Sequence, residues 1–144
     1  MTKKATLKQA SRLIQEAQQP LLICHVAPDG DALGSLTGLA RALRQMGQSP
    51  IAACPDTVSS QFNYIPGIES VVQSVIDFFD LVVALDCSHP ERLGAFLELP
   101  HFDQHALVNI DHHVTNVSFG DVNVVDPKAS STAEVVLTLL DQLG

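Results

Sequence analysis

The segment LLICHVAPDGDALGS, residues 21–35, decides the fold class of this chain. Its first five residues, LLICH (21–25), form a short apolar run, and apolar residues at helical spacing follow the polar turn VAPDGD. An apolar run that does not alternate with polar residues is typical of a strand buried on both faces of a parallel sheet. The segment therefore predicts a buried strand followed by a helix.

The same succession of buried strands and helices continues along the chain. Further strands are predicted over 49–54, 81–86, 106–111 and 119–125. Helices are predicted over 6–18, 31–46, 90–98 and from 131 onward. The segment 70–79 fits either a strand or a short helix. This order predicts an α/β fold, a mostly parallel sheet of about five strands with helices on both faces.

Length and composition indicate a single globular domain over residues 1–144. A chain of 144 residues, 46% of them hydrophobic, is long enough to bury a sizeable core. No apolar run approaches the roughly 20 residues that span a bilayer, and the first residues lack the apolar core of a signal peptide. We therefore expect a cytoplasmic protein with no membrane partner. Its three cysteines form no CxxC pair and are predicted to be buried, reduced thiols.

The net charge of −8 argues against nucleic-acid binding through a broad basic surface. Such a surface needs clustered Lys and Arg to neutralise phosphates, and here 8 basic residues stand against 16 acidic ones. A phosphate substrate is still compatible with this charge if local carboxylates hold metal ions and the metal ions hold the phosphate.

Residue types that bind metals follow three of the predicted strands at the point where each strand ends. In chain order they are His25, Asp29, Asp31, Asp86, Asp111, His112 and His113. In a parallel α/β sheet, ligands bind in the crevice at the carboxyl ends of the strands. If the three strands are neighbours, all of these side chains converge on one crevice.

Such a crevice would hold several carboxylates that repel one another unless cations neutralise them. Carboxylate and imidazole ligands together suit manganese, zinc, iron or cobalt. The number of potential ligands predicts two metal ions that share a carboxylate. Two-metal sites are used for in-line attack on phosphorus.

Each of these residues also has an ordinary structural explanation. Asp31 could be the N-cap of a helix that begins at Ala32. Asp86 could cap the helix that follows it, and His112 and His113 could be surface histidines. All of these coincidences together at three strand ends are harder to accept than one metal site.

Three motifs resemble those of the DHH phosphoesterase superfamily. They are HVAPDGDALGS at 25–35, ALDCSHPERLG at 84–94 and DHHVTN at 111–116. The resemblance extends from residue 21 to about residue 135, and the first motif is most similar to that of the bifunctional oligoribonucleases and pAp phosphatases. It implies a Rossmann-like DHH domain.

The resemblance also implies metal ligands for two Mn²⁺ ions in the full-length protein. His25 and Asp29 would hold one ion, and Asp31 would help to hold the other. Asp86 would bridge the two ions, and His112 would bind the second.

Four further residues match positions of the family that surround the metal ions. His113 would lie beside the scissile phosphate and stabilise charge there, and Asp111 would orient the site. Arg92 and Asn116 would either support the loops or contact the substrate. The run SSTAE (130–134) also resembles the family, although a capping box is its simpler explanation.

The activity implied is metal-dependent hydrolysis of phosphate esters in short oligonucleotides or in nucleotides such as pAp. The alternatives are a non-catalytic module that binds metal or nucleotide, and a phosphoanhydride hydrolase similar to inorganic pyrophosphatases. A homodimer is left open.

The family's pattern continues with a further metal-binding aspartate and a C-terminal substrate-binding domain, and neither is found in these 144 residues. We therefore expect a fragment of a longer two-domain protein. Whether the fragment is active alone is left open.

Overall fold

Five short strands form one sheet in which every neighbouring pair runs parallel. The structure is a computed structural model that describes residues 2–144. Its strands are β1 (Pro20–Cys24), β2 (Ile51–Ala53), β3 (Leu81–Leu85), β4 (Leu107–Asp111) and β5 (Val122–Val125). They lie in the order β2-β1-β3-β4-β5. The predicted parallel α/β sheet is confirmed.

Three α-helices pack on one face of this sheet. They are α1 (Lys3–Glu16), α2 (Gly30–Gln45) and α3 (Thr132–Leu143). Their apolar stripes share one core cluster with strand residues that include Leu22, Val83 and Ile110. Within residues 2–144, no helix combines the length and the apolar character of a membrane span.

The opposite face of the sheet is covered by 3₁₀ turns and loops. Strand residues such as Ile23 and Val82 pack there against Leu93 and Phe96. The helix predicted over 90–98 is a 3₁₀ segment interrupted at Gly94, which has φ 59° and ψ −138°. A residue with that backbone cannot continue an α-helix, and glycine adopts it without steric strain. The predicted helical cover is thus α-helical on one face and 3₁₀ on the other.

The segment 70–79, predicted as a strand or a short helix, is mostly irregular. A 3₁₀ turn over Ile68–Ser70 precedes it, and Val72 forms an isolated parallel bridge with Ala53. The Val72 N–H donates to the carbonyl of Ala52 at 2.9 Å, so this single residue extends the edge beside β2.

The order of the strands reverses beside β1. β2 follows β1 in sequence and pairs with one side of it, whereas β3 pairs with the other side. Ligands in open α/β sheets bind at such a reversal, outside the carboxyl ends of the strands. Because β1, β3 and β4 are neighbours, the three polar strand ends meet there as predicted.

The cysteines, Cys24, Cys54 and Cys87, are buried free thiols, also as predicted.

Candidate metal centre

His25 follows β1 and turns its imidazole into the protein, where the residue is 5% exposed. Its Nδ1 lies 2.6 Å from the carbonyl oxygen of Val26, to which Nδ1–H donates. Its Nε2 lies 3.2 Å from Oδ2 of Asp86 and 3.8 Å from Oδ1 of Asp29. With the proton on Nδ1, the lone pair of a neutral His25 points from Nε2 toward two carboxylates. Metal-binding histidines commonly have this arrangement.

The pKa of His25 lies above the ordinary value of a histidine. Burial lowers this pKa, but the hydrogen bonds to Asp86 and to the Val26 carbonyl, together with the charge of Asp86, raise it by more. The buried Asp86 carboxylate thus favours a proton on His25, and a metal ion at Nε2 would replace that proton.

Asp29 is the N-cap of α2. Its backbone is extended, with φ −104° and ψ −175°, and its Oδ1 accepts a hydrogen bond from the Ala32 N–H at 2.9 Å. The helix begins at Gly30, so the alternative in which Asp31 caps a helix beginning at Ala32 is wrong. Both aspartates precede the same apolar stripe, and only the backbone conformation distinguishes the cap from the first turn.

Asp31 instead reaches across to the N-terminus of α3. Its Oδ2 accepts a hydrogen bond from the Thr132 N–H at 2.9 Å, and its Oδ1 accepts one from the Ala133 N–H at 3.0 Å. The unpaired N–H groups of a first helical turn and the helix dipole both stabilise a carboxylate there. Nε2 of His112 lies 3.5 Å from the same Oδ2, so Asp31 joins α3 to the third motif.

Asp86 lies between the histidines that follow β1 and β4. Its side chain is 1% exposed, and its Oδ2 faces Nε2 of His25 at 3.2 Å. Its Oδ1 lies 3.8 Å from Nε2 of His112 and 3.7 Å from Nδ1 of His113. Its backbone has φ 60°, which costs a non-glycine residue about 1 kcal/mol or more and is found most often at functional sites. The carboxylate is therefore aimed at two separate sets of ligands.

Asp111 uses its carboxylate inside the protein. Its Oδ1 accepts hydrogen bonds from the His112 N–H at 2.8 Å and from Nδ1–H of His113 at 2.6 Å. Its Oδ2 accepts one from the Asn116 amide at 2.7 Å. Because His113 donates through Nδ1, its Nε2 is the ring atom left for other partners, on a side chain that is 43% exposed.

His112 has the same arrangement as His25. Its Nδ1 lies 3.3 Å from the carbonyl oxygen of Ala129, while its Nε2 lies near the carboxylates of Asp31 and Asp86. A backbone carbonyl thus holds the Nδ1 proton and leaves the Nε2 lone pair for a metal ion.

Two groups of potential metal ligands result, and Asp86 belongs to both. One group is His25, Asp29 and Asp86, and the other is Asp86, His112 and His113. Within each group the ligand atoms lie within 4.8 Å of one another. The donor set of imidazoles and carboxylates fits divalent transition-metal ions, and such ions would neutralise the clustered acids.

Residues 20–143 match the family model described as DHH family, N-terminal domain. This chain belongs to the DHH family. The match covers all five strands and the three polar strand ends, so the family predicted from the motifs is confirmed.

Similar curated proteins carry one description, bifunctional oligoribonuclease and PAP phosphatase NrnA. The protein from Thermus thermophilus is 33% identical over 144 residues, which cover 96% of this DHH domain and 41% of that protein. The protein from Bacillus subtilis is 29% identical over 115 residues, which cover 80% of this chain and 36% of that protein. The chain therefore spans less than half the length of these relatives.

A solved structure, that of an exopolyphosphatase-related protein from Bacteroides fragilis, resembles the DHH domain over its whole length. The TM-score is 0.89 at 24% sequence identity, and the match covers 100% of this chain and 46% of that one. The likeness shows that the fold is that of a known α/β protein.

Arg92 and Asn116 occupy different places in the DHH domain. Nη2 of Arg92 lies 3.0 Å from Nδ1 of His25, which puts an exposed guanidinium at the rim of the site. Asn116 donates to Asp111 and to the Cys87 carbonyl, and its Oδ1 accepts two further hydrogen bonds. Its amide is fully used inside the protein and ties together the loops that follow β3 and β4.

Thr132 is a site residue that sequence reasoning missed. Its Oγ1 donates to Oδ1 of Asp86 at 2.7 Å and lies 3.4 Å from Oδ1 of Asp111. The run 130–134 was interpreted as a capping box, and Ser131 does accept the Glu134 N–H at 3.1 Å. The hydrogen bond from Thr132 to Asp86 leaves no pattern in the sequence, because it depends on where α3 packs.

Proposed function

We propose that this chain is the catalytic domain of a phosphoesterase that uses two Mn²⁺ ions to hydrolyse short oligonucleotides or nucleotides such as pAp. The observation that carries the proposal is the Asp86 carboxylate, whose two oxygens face two separate groups of ligands. Membership of the DHH family supports the reaction class. The printed description of the relatives supports the substrate class.

Five side chains would hold the two ions. His25 and Asp29 would bind the first, Asp31 and His112 the second, and Asp86 would bridge them. When bound, such ions lower the pKa of water enough to supply hydroxide near neutral pH and neutralise charge on the phosphate. Their ligands are presented by strand ends and helix termini, which keep the spacing fixed without an ordering cost at each turnover.

Two other side chains, those of His113 and Arg92, would act on the phosphate directly. Asp111 accepts a hydrogen bond from Nδ1–H of His113, which would leave Nε2 to face the substrate. With a proton on Nε2, His113 would donate a hydrogen bond to a phosphate oxygen on which negative charge increases. The exposed guanidinium of Arg92 would bind a second phosphate oxygen at the rim of the site.

The remainder of the substrate would be bound outside these residues. The chain spans 41% of the Thermus thermophilus relative, which supports the expectation of a longer protein with a separate substrate-binding domain. The net charge of −8 fits that division, because few basic residues are available here for distal phosphates. The buried free thiols support a cytoplasmic location.

The test compares hydrolysis of a dinucleotide, pAp and pyrophosphate with and without Mn²⁺, by residues 1–144 and by the longer parent protein. The Asp86→Asn variant is expected to lose more than about 100-fold in kcat/KM, since loss of even an outer partner of a metal ligand costs about 10–100-fold. Asp141→Asn on the exposed side of α3 makes the same chemical change away from the site and should leave activity unchanged.

Hydrolysis of the dinucleotide or pAp that depends on Mn²⁺ and on Asp86 would support the proposal. Hydrolysis of pyrophosphate alone would replace it with a phosphoanhydride hydrolase. Binding of Mn²⁺ with no turnover by either form of the protein would leave a non-catalytic metal-binding module.

A further inference from the structure

Thr132, the first residue of α3, is fully buried between two acidic side chains. Its hydroxyl lies 2.7 Å from Oδ1 of Asp86 and 3.4 Å from Oδ1 of Asp111. A threonine hydroxyl has one hydrogen to donate, and the shorter distance assigns that hydrogen to Asp86. Thr132 thus holds the carboxylate that both ligand groups share.

The hydrogen bond reaches only one of the two Asp86 oxygens. That oxygen, Oδ1, is the one near His112 and His113, whereas Oδ2 faces His25. A donor on Oδ1 restrains rotation of the carboxylate and leaves the second lone pair of Oδ1 for a ligand. The group that contains His112 and His113 therefore depends on Thr132 more directly than the group that contains His25.

The same turn of α3 also holds the second acid of the site. The backbone N–H groups of Thr132 and Ala133 donate to Asp31, while the Thr132 hydroxyl donates to Asp86. The β-branched side chain of threonine has few rotamers in a helix, so the hydroxyl is held in place with the backbone. One rigid turn thereby sets the separation of two carboxylates that come from distant parts of the sequence.

We propose that Thr132 is a positioning residue that orients Asp86 for the metal ion on the His112 side of the site. The inference rests on the two-ion function proposed above and adds a residue that acts through Asp86 without touching substrate or metal. It requires that the two ions respond differently to loss of one hydroxyl. A residue needed only for the fold would weaken both sites or neither.

The test is calorimetric titration of the metal-free longer parent protein with MnCl₂, resolving two binding events. Thr132→Val keeps the shape of the side chain and removes the hydroxyl. It should weaken binding of the ion on the His112 side about 10–100-fold, while binding of the ion on the His25 side changes far less. Thr132→Ser keeps the hydroxyl and should restore most of the lost affinity. Thr138→Val makes the same chemical change on the exposed side of α3, so it should leave both affinities unchanged.

Equal weakening of both events, no weakening by Thr132→Val, or a failure of Thr132→Ser to restore binding would overturn the role of Thr132. If the valine variant does not fold, Thr132→Ala carries the same comparison, because alanine also lacks the hydroxyl and is a good helix former. A longer parent protein that binds no second Mn²⁺ ion would overturn the two-ion proposal, and this inference with it.

Discussion

Asp111 and Asp86 are both buried acids at strand ends, yet their hydrogen bonds separate their roles. Asp111 accepts hydrogen bonds from backbone, imidazole and amide donors, whereas Asp86 accepts the Thr132 hydroxyl and otherwise faces imidazoles. The partners of Asp111 are groups that it orients, whereas the Asp86 carboxylate lies among imidazole nitrogens that could bind the same cation. Residue types and spacing do not distinguish these two acids, but their partners do.

The first prediction concerns Asp111→Asn. An amide has one acceptor oxygen, so either Asn116 or His113 would face an NH₂ group in place of an acceptor. We expect a loss of about 1–3 kcal/mol in the free energy of unfolding and a kcat lower by about 100-fold, because His113 is no longer held in one tautomer. Mn²⁺ affinity should change little.

The measurements are urea denaturation, steady-state kinetics of the longer protein and Mn²⁺ titration. Asp121→Asn is the control, because Asp121 accepts a single backbone hydrogen bond, from Leu107 at 2.8 Å. A large loss of Mn²⁺ affinity in Asp111→Asn would contradict the assignment of Asp111 to orienting the site without binding a metal ion.

At the scale of elements, the turn between β1 and α2 depends on a residue from outside it. Ala27 has φ 48°, a left-handed conformation that is unusual for alanine, and its N–H donates to Oδ2 of Asp56 at 2.6 Å. This turn carries His25 and Asp29, the ligands proposed for the first ion. Asp56 therefore stabilises that half of the site from the loop after β2.

The second prediction is that Asp56→Ala weakens binding of the Mn²⁺ ion proposed for His25 and Asp29 by about tenfold, and binding of the other ion much less. The hydrogen bond is charge-assisted but exposed, so the free energy of unfolding should fall by about 1 kcal/mol. Calorimetric titration and urea denaturation measure the two effects. Asp103→Ala, on the exposed 3₁₀ turn Phe102–Gln104, is the control. Equal weakening of both events would contradict the local role of Asp56.

Element boundaries show where local pattern is sufficient and where it is not. The strand ends were predictable because apolar runs end abruptly at polar residues. The cap of α2 was not, since Asp29 and Asp31 both precede the apolar stripe and only φ and ψ distinguish them. The interruption of the segment Pro90–Glu98 at Gly94 could not be predicted either, because a glycine adopts both helical backbone and backbone with positive φ.

At the scale of the whole molecule, parallel strands carry their carboxyl ends to one edge of the sheet. Convergence of the three motifs therefore follows from the fold class, and it could be predicted without coordinates. The side of the sheet on which each helix packs could not be predicted, because the period of an apolar stripe does not say which side it covers. The contact of Thr132 with Asp86 depends on that placement, since it brings the N-terminus of α3 to the carboxyl edge of the sheet.

The third prediction concerns two glycines that differ in their surroundings. A Cβ at Gly120 would lie 2.9–3.0 Å from backbone atoms of Val122, Asn109 and Leu107, so Gly120→Ala must push β4 and β5 apart. We expect a loss of about 1–3 kcal/mol in the free energy of unfolding. A Cβ at Gly38 in α2 has nothing within 4 Å, so Gly38→Ala should raise that free energy by about 0.5–1 kcal/mol. Urea denaturation measures both, and a reversal of the two signs would contradict the packing of β5.

The electron paramagnetic resonance spectrum of the Mn²⁺-loaded longer parent protein measures whether two ions lie close enough for Asp86 to bridge them. We predict two Mn²⁺ ions per chain and the spectrum of a spin-coupled pair, which Asp86→Asn replaces with that of isolated ions and Asp141→Asn leaves unchanged. A single uncoupled ion in the saturated wild-type parent protein, or a coupled pair that persists in Asp86→Asn, would rule out a bridging role for Asp86.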